Sequence, residues 1–399
     1  MARASSEATT SSVAARSDRP SARAHALGAV ISTHAEQIER TQRFPDAVLR
    51  PLHQSRLLRM LLPRSVGGDE VQASEYLHAI EALALYDGSI AWNAFVANSA
   101  ALIAPHLPLD TAKTIFSDPE TVVSWGPPNE CRAFAVAGGY RITGHWPFAS
   151  GCRQANWMGA HCHVVEPDGS LRLNGSATPL IRTLLFPAEQ ATLYDDWQPS
   201  GLRGTSSNSY SVEDVFVSEA FSGTREDPEG RRDPGPLYAF TQQGLYAVGV
   251  AGVAIGLAQG MMNEFAKLAQ TKTPRGLERL ADSVMVQDSF AHSTAQLSAA
   301  RAWLCHVLDE VSAKAPREGA IDVESRAQVR LACSHAIENA VEIGNSVHHS
   351  AGVSALFPDS PFERRFRDLH TVSQQIQSRR SHFANIGSIL LGHRPNVFY

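Results

Sequence analysis

Apolar residues recur at helical spacing from about Ala26 to Pro119. Leu49, Leu52, Leu57, Leu58 and Leu61 keep one face until Pro63 and Gly67-Gly68 interrupt it. Ala35 to Arg40 reads as an exposed turn. A further helix is predicted from Ala73, with Tyr76, Leu77, Ile80, Leu83, Ala84 and Leu85 on its apolar face. The next, Ser89 through Leu102, is apolar nearly all round, the pattern of a buried helix. Near Thr121 the period changes. Gly138-Gly139 followed by Tyr140 to Gly144 predicts a hairpin. Trp157 to Val165, Thr183 to Phe186 and Ser209 to Val217 read as strands. Residues 222–236, rich in charge, Pro and Gly, read as a linker or surface loop.

Helical spacing returns after Leu237. Gly244 to Phe265 carries Gly249, Gly252, Gly256 and Gly260 and few charges. About 20 apolar residues are enough to span a bilayer. Small residues at this spacing, continued by more helix, point instead to the central helix of a bundle. Long helices are expected over 277–315, 323–350 and 366–391. The result is a mostly α, α+β chain: a tail at 1–25, helices over 26–120, a β domain over 121–222 and a helical bundle over 237–399.

Composition narrows the class. The chain has 399 residues, 43% hydrophobic and 19% charged, an ordinary globular balance. Its 35 Lys plus Arg against 40 Asp plus Glu give a net charge of −5, which argues against nucleic acid as a partner. No membrane attachment is expected. The N-terminal stretch is rich in Ser, Ala and Arg but lacks the apolar core of a secretory signal, and Glu7 and Asp18 weaken a transit-peptide reading. The five cysteines, Cys131, Cys152, Cys162, Cys305 and Cys333, are odd in number and show no C-x-x-C spacing. Reduced thiols in a cytoplasmic protein fit best. His161 and His163 share one strand face and His348 and His349 are adjacent, yet neither pair has further spaced ligands, so no metal is expected. No G-x-G-x-x-G follows a strand.

Three segments carry a family resemblance: GGYRITGHWPFASGCRQANW at 138–157, WQPSGLRGTSSNSYSVEDVFV at 197–217 and AGVSALFPDSPFERRFRD at 351–368. In this order, on an α–β–α frame, they resemble flavin-dependent monooxygenases of the acyl-CoA dehydrogenase fold. These are oxygenase components of two-component systems, such as aromatic hydroxylases, dibenzothiophene monooxygenases and amino-sugar N-oxygenases. The resemblance implies an N-terminal helical domain, a middle β domain and a C-terminal four-helix bundle, usually in a homotetramer. It implies reduced FMN or FADH2 from an NAD(P)H-dependent flavin reductase, O2 as co-substrate, a C4a-hydroperoxide and a small organic substrate. Natural-product tailoring or catabolism of an aromatic or heterocycle would suit it.

The resemblance also places residues. Ser150 matches a serine near the flavin N5 and C4a edge, although a serine there also suits an ordinary turn. Phe148 and Trp157 match positions lining the flavin face, and Trp197 is a further cofactor contact. Ser124 matches the loop at the pyrimidine edge. Arg275 matches an arginine that reaches a neighbouring subunit's flavin phosphate, a pairing that suits a guanidinium. His348 matches a contact to the adenine-bearing half of FAD. Trp92, Asn93 and Val96 are the expected substrate contacts.

The expected last helix bears on the reaction. In the dehydrogenases of this fold a glutamate base stands nine positions after the arginine of an Arg-Asp pair. Here Arg367-Asp368 is that pair and Ile376 occupies the position. Isoleucine abstracts no proton. Hydroxylating members commonly carry histidine one position earlier, where this chain has Gln375, a hydrogen-bonding group but not a base. His370, one turn before Gln374, is a substitute base if it shares that face, and a surface histidine otherwise. Flavin-dependent desaturation and a catalytically lapsed flavin-binding homologue are the alternative readings.

Overall fold

The computed structural model describes residues 18–225 and 227–393. Helices α1 (Pro20–Ala26), α2 (Gly28–Thr41), α3 (Asp46–Gln54), α4 (Ala73–Ala84), α5 (Gly88–Ala101) and α6 (Leu109–Phe116) come first. Helix α1 begins inside the stretch read as a tail; residues 1–17 of that reading lie outside the described residues. Ala35 and Ile38 are buried, so the turn expected at 35–40 is instead the inward face of α2. The leucine run is not one helix either. Helix α3 stops at Gln54, and Leu57 to Leu62 continue as buried turns. Asn98 makes this possible. Its fully buried amide donates to Leu57 O (2.8 Å) and accepts from Leu61 N–H (2.9 Å), supplying bonds a helix would have made.

A sheet of eight strands forms the middle: β1 (Val123–Trp125), β2 (Arg132–Val136), β3 (Gly139–Ala149), β4 (Trp157–Val165), β5 (Ile181–Pro187), β6 (Thr192–Leu193), β7 (Asn208–Ser218) and β8 (Ser222–Gly223). Its order is β6–β7–β3–β2–β4–β5–β8, and β1 lies parallel to β4. Strands β2 and β3 form the predicted hairpin, with Arg132 opposite Thr143 and Val136 opposite Gly139. Strand β3 slips register against β7 between Trp146 and Ala149. A bulge of this kind redirects side chains locally, and it falls where the site is built.

Residues 222–236 do not behave as a linker. Strand β8 pairs with the sheet edge at β5, and Arg232 N–H donates to Pro105 O at 2.7 Å. The segment is fixed against both the sheet and the first helices.

The C-terminal helices are α7 (Gln242–Thr271), α8 (Val284–Lys314), α9 (Val323–Ala351), α10 (Glu363–Val372) and α11 (Ser381–Leu390). Helix α7 is the one described helix long and apolar enough to cross a membrane, and its apolar stretch is 89% buried inside the protein. At Gly256 a Cβ would sit 2.3 Å from Glu81 O. Helices α4 and α7 therefore meet backbone to backbone, which explains the glycine. Residues 277–283, expected to be helical, are a loop with a short 3₁₀ turn ahead of α8.

The helix expected over 366–391 is broken. Between α10 and α11 stands a 3₁₀ turn, Ile376–Ser378. Side chains compete with the helical ladder here. Ser373 Oγ donates to His370 O (2.7 Å) and Ser378 Oγ to Val372 O (3.0 Å). Gln375 Oε1 accepts from Gln377 N–H (2.6 Å), and the Gln377 amide reaches Gln243 Oε1 on α7 (2.5 Å). The break turns Gln374 to Gln377 toward the sheet.

Candidate active site

The sheet, α5, the start of α7 and the broken segment enclose a cavity of about 490 Å³. Aromatic rings dominate its walls: Trp92, Trp125, Phe148, Trp197 and Tyr246. This size and lining are typical of a small-molecule site.

Ser150 follows the β3 bulge and is 8% exposed. Its Oγ accepts from Trp92 Nε1–H (3.1 Å) and lies 2.7 Å from Ser207 Oγ. Ser207 Oγ lies 2.7 Å from Thr205 Oγ1, which donates to Leu202 O (2.8 Å). Each hydroxyl has one proton. Every contact is satisfied only when protons run from Ser150 to Ser207 to Thr205 to Leu202. Ser150 Oγ then keeps a lone pair for an N–H donor, and a rotation of its O–H would make it a donor instead. Ser124 Oγ donates to Ser150 O (2.8 Å) from behind. The bulge also holds Phe148 in the left-handed region, φ 61°, where a bulky side chain is strained. Its ring is 60% exposed and meets Trp197 edge-on, 6.1 Å between centroids.

Residues 197–207 form the adjoining wall. Trp197 Nε1–H donates to Leu202 O (3.1 Å). Two αL residues, Leu202 (φ 51°) and Ser206 (φ 49°), bend the loop. The Arg-Asp pair anchors it: Arg367 donates to Ser200 O (2.5 Å) and Asp368 Oδ1 accepts from Leu202 N–H (2.6 Å). Two of the resembling sequence segments therefore touch.

Burial, and next the nearby Asp87 carboxylate, push the Asp368 carboxyl up to about 7 from the usual 3.8. A raised folded-state pKa gives stability that is complete below the unfolded pKa and lost as pH rises through the folded value. Asp368→Asn keeps an acceptor for Leu202 N–H and never ionises. The melting temperature of the variant relative to the wild type should therefore climb between pH 4 and 8. The gap approaches at most about 4 kcal/mol, from about 1.4 kcal/mol per unit. A pH-independent gap would contradict this assignment.

Ser150, Phe148, Trp197, Gln375, Trp92 and Val96 meet at the cavity. The other expected residues do not line it. Ser124 is fully buried behind Ser150. Trp157 stacks on Phe221, 5.7 Å between ring centroids, in a separate cluster. Asn93 turns its amide toward Gly151 and leaves both polar atoms without partners. His348 packs on Phe366, and His370, half-buried, has its Nε2 2.9 Å from Asn345 Oδ1 on α9. His370 therefore faces α9 and does not share the face that Gln375 turns to the cavity. Arg275 is exposed in the loop between α7 and α8. Three polar wall residues carry no strong local signal: His161 was half of a histidine pair, Arg225 lay in the supposed linker, and Gln242 opened an apolar helix.

Residues 19–107 match the family described as Acyl-CoA dehydrogenase, N-terminal domain, and residues 248–379 match Acyl-CoA dehydrogenase, C-terminal domain. Indole-3-acetate monooxygenase of Acinetobacter baumannii is 28% identical over 356 residues, 88% of each chain. The oxygenase component of FADH(2)-dependent resorcinol hydroxylase from Rhizobium sp. is 25% identical over 388 residues, 92% of each chain. The solved structure of XiaF from Streptomyces sp., in complex with FADH2 and glycerol, has a TM-score of 0.87 at 23% identity, over 98% of this chain and 99% of that one.

Proposed function

We propose that this chain, which belongs to the acyl-CoA dehydrogenase family in its flavin-dependent monooxygenase branch, is the oxygenase component of a two-component system. It hydroxylates, or N- or S-oxygenates, a small aromatic or heterocyclic substrate with reduced flavin and O2. One oxygen atom enters the substrate, the other leaves as water, and the two electrons come from the flavin. The observation that carries this reading is the Ser150 hydroxyl relay on the wall of an aromatic cavity whose described lining holds no carboxylate. The position of a dehydrogenase base is Ile376, half exposed at the helix break, which speaks against desaturation.

The residues present fit a flavin. Phe148 and Trp197 offer apolar faces to a flat ring. The lone pair left on Ser150 Oγ suits the N5–H that reduced flavin carries and oxidised flavin lacks. Bound reduced flavin, as FMN or FADH2, supplies the activation of O2. The protein supplies the rest. Ser150 and Gln375 hydrogen-bond at the reacting edge, Trp92 and Val96 contact the substrate, and the aromatic walls exclude water, which guards a reactive site against side reactions.

An NAD(P)H-dependent flavin reductase is the required partner, and the cytoplasm, where its nicotinamide is reduced, is the fitting compartment. Assembly as a homotetramer is part of this reading, and exposed apolar side chains such as Val284 and Met285 of α8, 75% and 81% exposed, give it surface to bury. The test is turnover of aromatic and heterocyclic compounds with and without a reductase. Product that requires both reductase and O2 supports the proposal. Turnover by tightly bound oxidised flavin, with another electron acceptor replacing O2, would favour desaturation.

A further inference from the structure

Away from the cavity, two helices bring four chemically active side chains into one row. On α4, His78 and Glu81 stand three positions apart, and on α8, Arg301 and Cys305 stand four apart, so each pair shares a helix face. Packing sets the two faces against each other. Cys305 Sγ lies 3.5 Å from His78 Nε2. His78 Nδ1 lies 3.7 Å from Glu81 Oε2. Glu81 Oε1 accepts from Arg301 Nε–H (2.7 Å), and Arg301 also donates to Gln259 Oε1 on α7 (3.1 Å). None of these residues lines the cavity.

The order thiol, imidazole, carboxylate is that of a nucleophile, its base and the group that orients the base. A carboxylate facing Nδ1 draws the ring proton to that side and leaves Nε2 as the acceptor for the thiol S–H. Contact with Cys305 first, then with Glu81, pushes the His78 imidazole up to about 10, against the effect of its burial. Burial raises Glu81, but His78 and Arg301 outweigh it and hold the carboxyl below its usual range. The His78 side chain is 44% exposed and Cys305 is half-buried, which leaves the pair open to small solutes.

The other cysteines differ. Cys152, Cys162 and Cys333 are buried, and burial pushes each thiol up. Cys131 is half-buried like Cys305, but its Sγ meets the His145 carbonyl (3.6 Å) instead of a ring nitrogen.

We propose that Cys305 is a site of oxidation by peroxides, with His78 as the base that takes the thiol proton and Glu81 as the residue that positions His78. The thiolate is the attacking species. The proton passes from Sγ to Nε2, and the sulfur attacks one oxygen of hydrogen peroxide. An S–O bond forms as the O–O bond breaks. The departing hydroxide takes the proton back from Nε2 and leaves as water. The sulfur gives up two electrons to the peroxide and becomes a sulfenic acid, the reversible first stage of thiol oxidation. An oxygenase that releases peroxide supplies the oxidant at close range, but the reactivity of the thiol does not rest on the monooxygenase reading.

The experiment treats the full-length protein with hydrogen peroxide in the presence of a cyclic 1,3-diketone, which captures sulfenic acids. Capture at each cysteine is followed over time by peptide mass spectrometry. Cys305 should be captured about tenfold or more faster than Cys131 in the same molecules. His78→Gln should slow capture at Cys305 about tenfold or more and leave Cys131 unchanged. Glu81→Gln keeps an acceptor for Arg301 and should slow Cys305 to a lesser degree. The ratio of the two rates within one chain reports the local chemistry and not the stability of the fold. Capture at Cys131 as fast as at Cys305, or a rate at Cys305 in His78→Gln equal to that of the wild type, would overturn the proposal.

Discussion

Ser150→Ala is expected to lower oxygenated product about 100-fold, the usual scale for removing one hydrogen-bonding group aimed at a reacting centre. The same electrons should then appear as hydrogen peroxide. The hydroxyl is held from two sides by Trp92 Nε1–H and Ser207 Oγ, and its backbone carbonyl is held by Ser124. Its remaining lone pair is thus aimed by the protein before any ligand binds. Alanine removes that group and leaves the Trp92 N–H without its acceptor, a stability loss of about 1–3 kcal/mol. Trp92→Phe separates the two effects. It removes the partner but keeps the ring and the hydroxyl, and should reduce product less than tenfold. The measurement is the ratio of product to peroxide at a fixed supply of reduced flavin. An unchanged ratio in Ser150→Ala would remove Ser150 from the chemistry.

Gly201→Ala is expected to abolish product formation while the protein still folds. A Cβ at Gly201 would lie 2.2 Å from Arg367 O and 2.6 Å from Thr371 Oγ1. Backbone atoms cannot step aside as a flexible side chain does, so the loop must lift from α10. Lifting it breaks the Leu202 N–H bond to Asp368 and the Ser200 contact with Arg367. It also moves Thr205 and Ser207, on which the Ser150 relay depends. Overpacking of this kind costs about 1–3 kcal/mol or more, below the roughly 5–15 kcal/mol by which a folded protein is usually stable. Product below about one hundredth of the wild type, with helical circular dichroism retained, is the expected pattern. Activity within twofold of the wild type would show that the loop's position does not matter.

Local pattern made much of this fold legible. The strand at 157–165 coincides with β4, and the helix expected over 323–350 coincides with α9 to within a residue. Both carry a strong period, and packing agrees with it. The misreadings fall where tertiary contacts override the local signal. Leu57 to Leu61 keep helical spacing, but the Asn98 amide supplies their bonds and releases them from a helix. Phe366, Leu369 and Val372 continue a helical stripe toward Ile376, yet the side chains of Ser373, Gln375 and Ser378 close the ladder early. The break puts Gln375 in the cavity wall, where an unbroken helix would not need to present it. Residues 222–236 have a linker's composition, and only pairing with β5 and Pro105 reveals a wall.

The site was legible in the same uneven way. Ser150, Phe148 and Trp197 were placed by motif, and they meet at one cavity. Trp157 ends one of those motifs and His348 stands just before another, but they turn onto Phe221 and Phe366. His161 and Arg225 are 64 positions apart and lie in segments of opposite character. No spacing rule links them; the sheet does, by pairing β8 with β5, the neighbour of β4.

Oxygen from O2 should enter an aromatic substrate at this cavity. Turnover under isotopically labelled dioxygen tests it most directly, with a separate reductase supplying reduced flavin and a panel of aromatic acids, amides and heterocycles as substrates. The expected product carries one labelled oxygen atom, forms only when reductase and O2 are both present, and is lost in Ser150→Ala. Electrons leaving only as labelled hydrogen peroxide across the whole panel, or a product whose new oxygen comes from water, would contradict it.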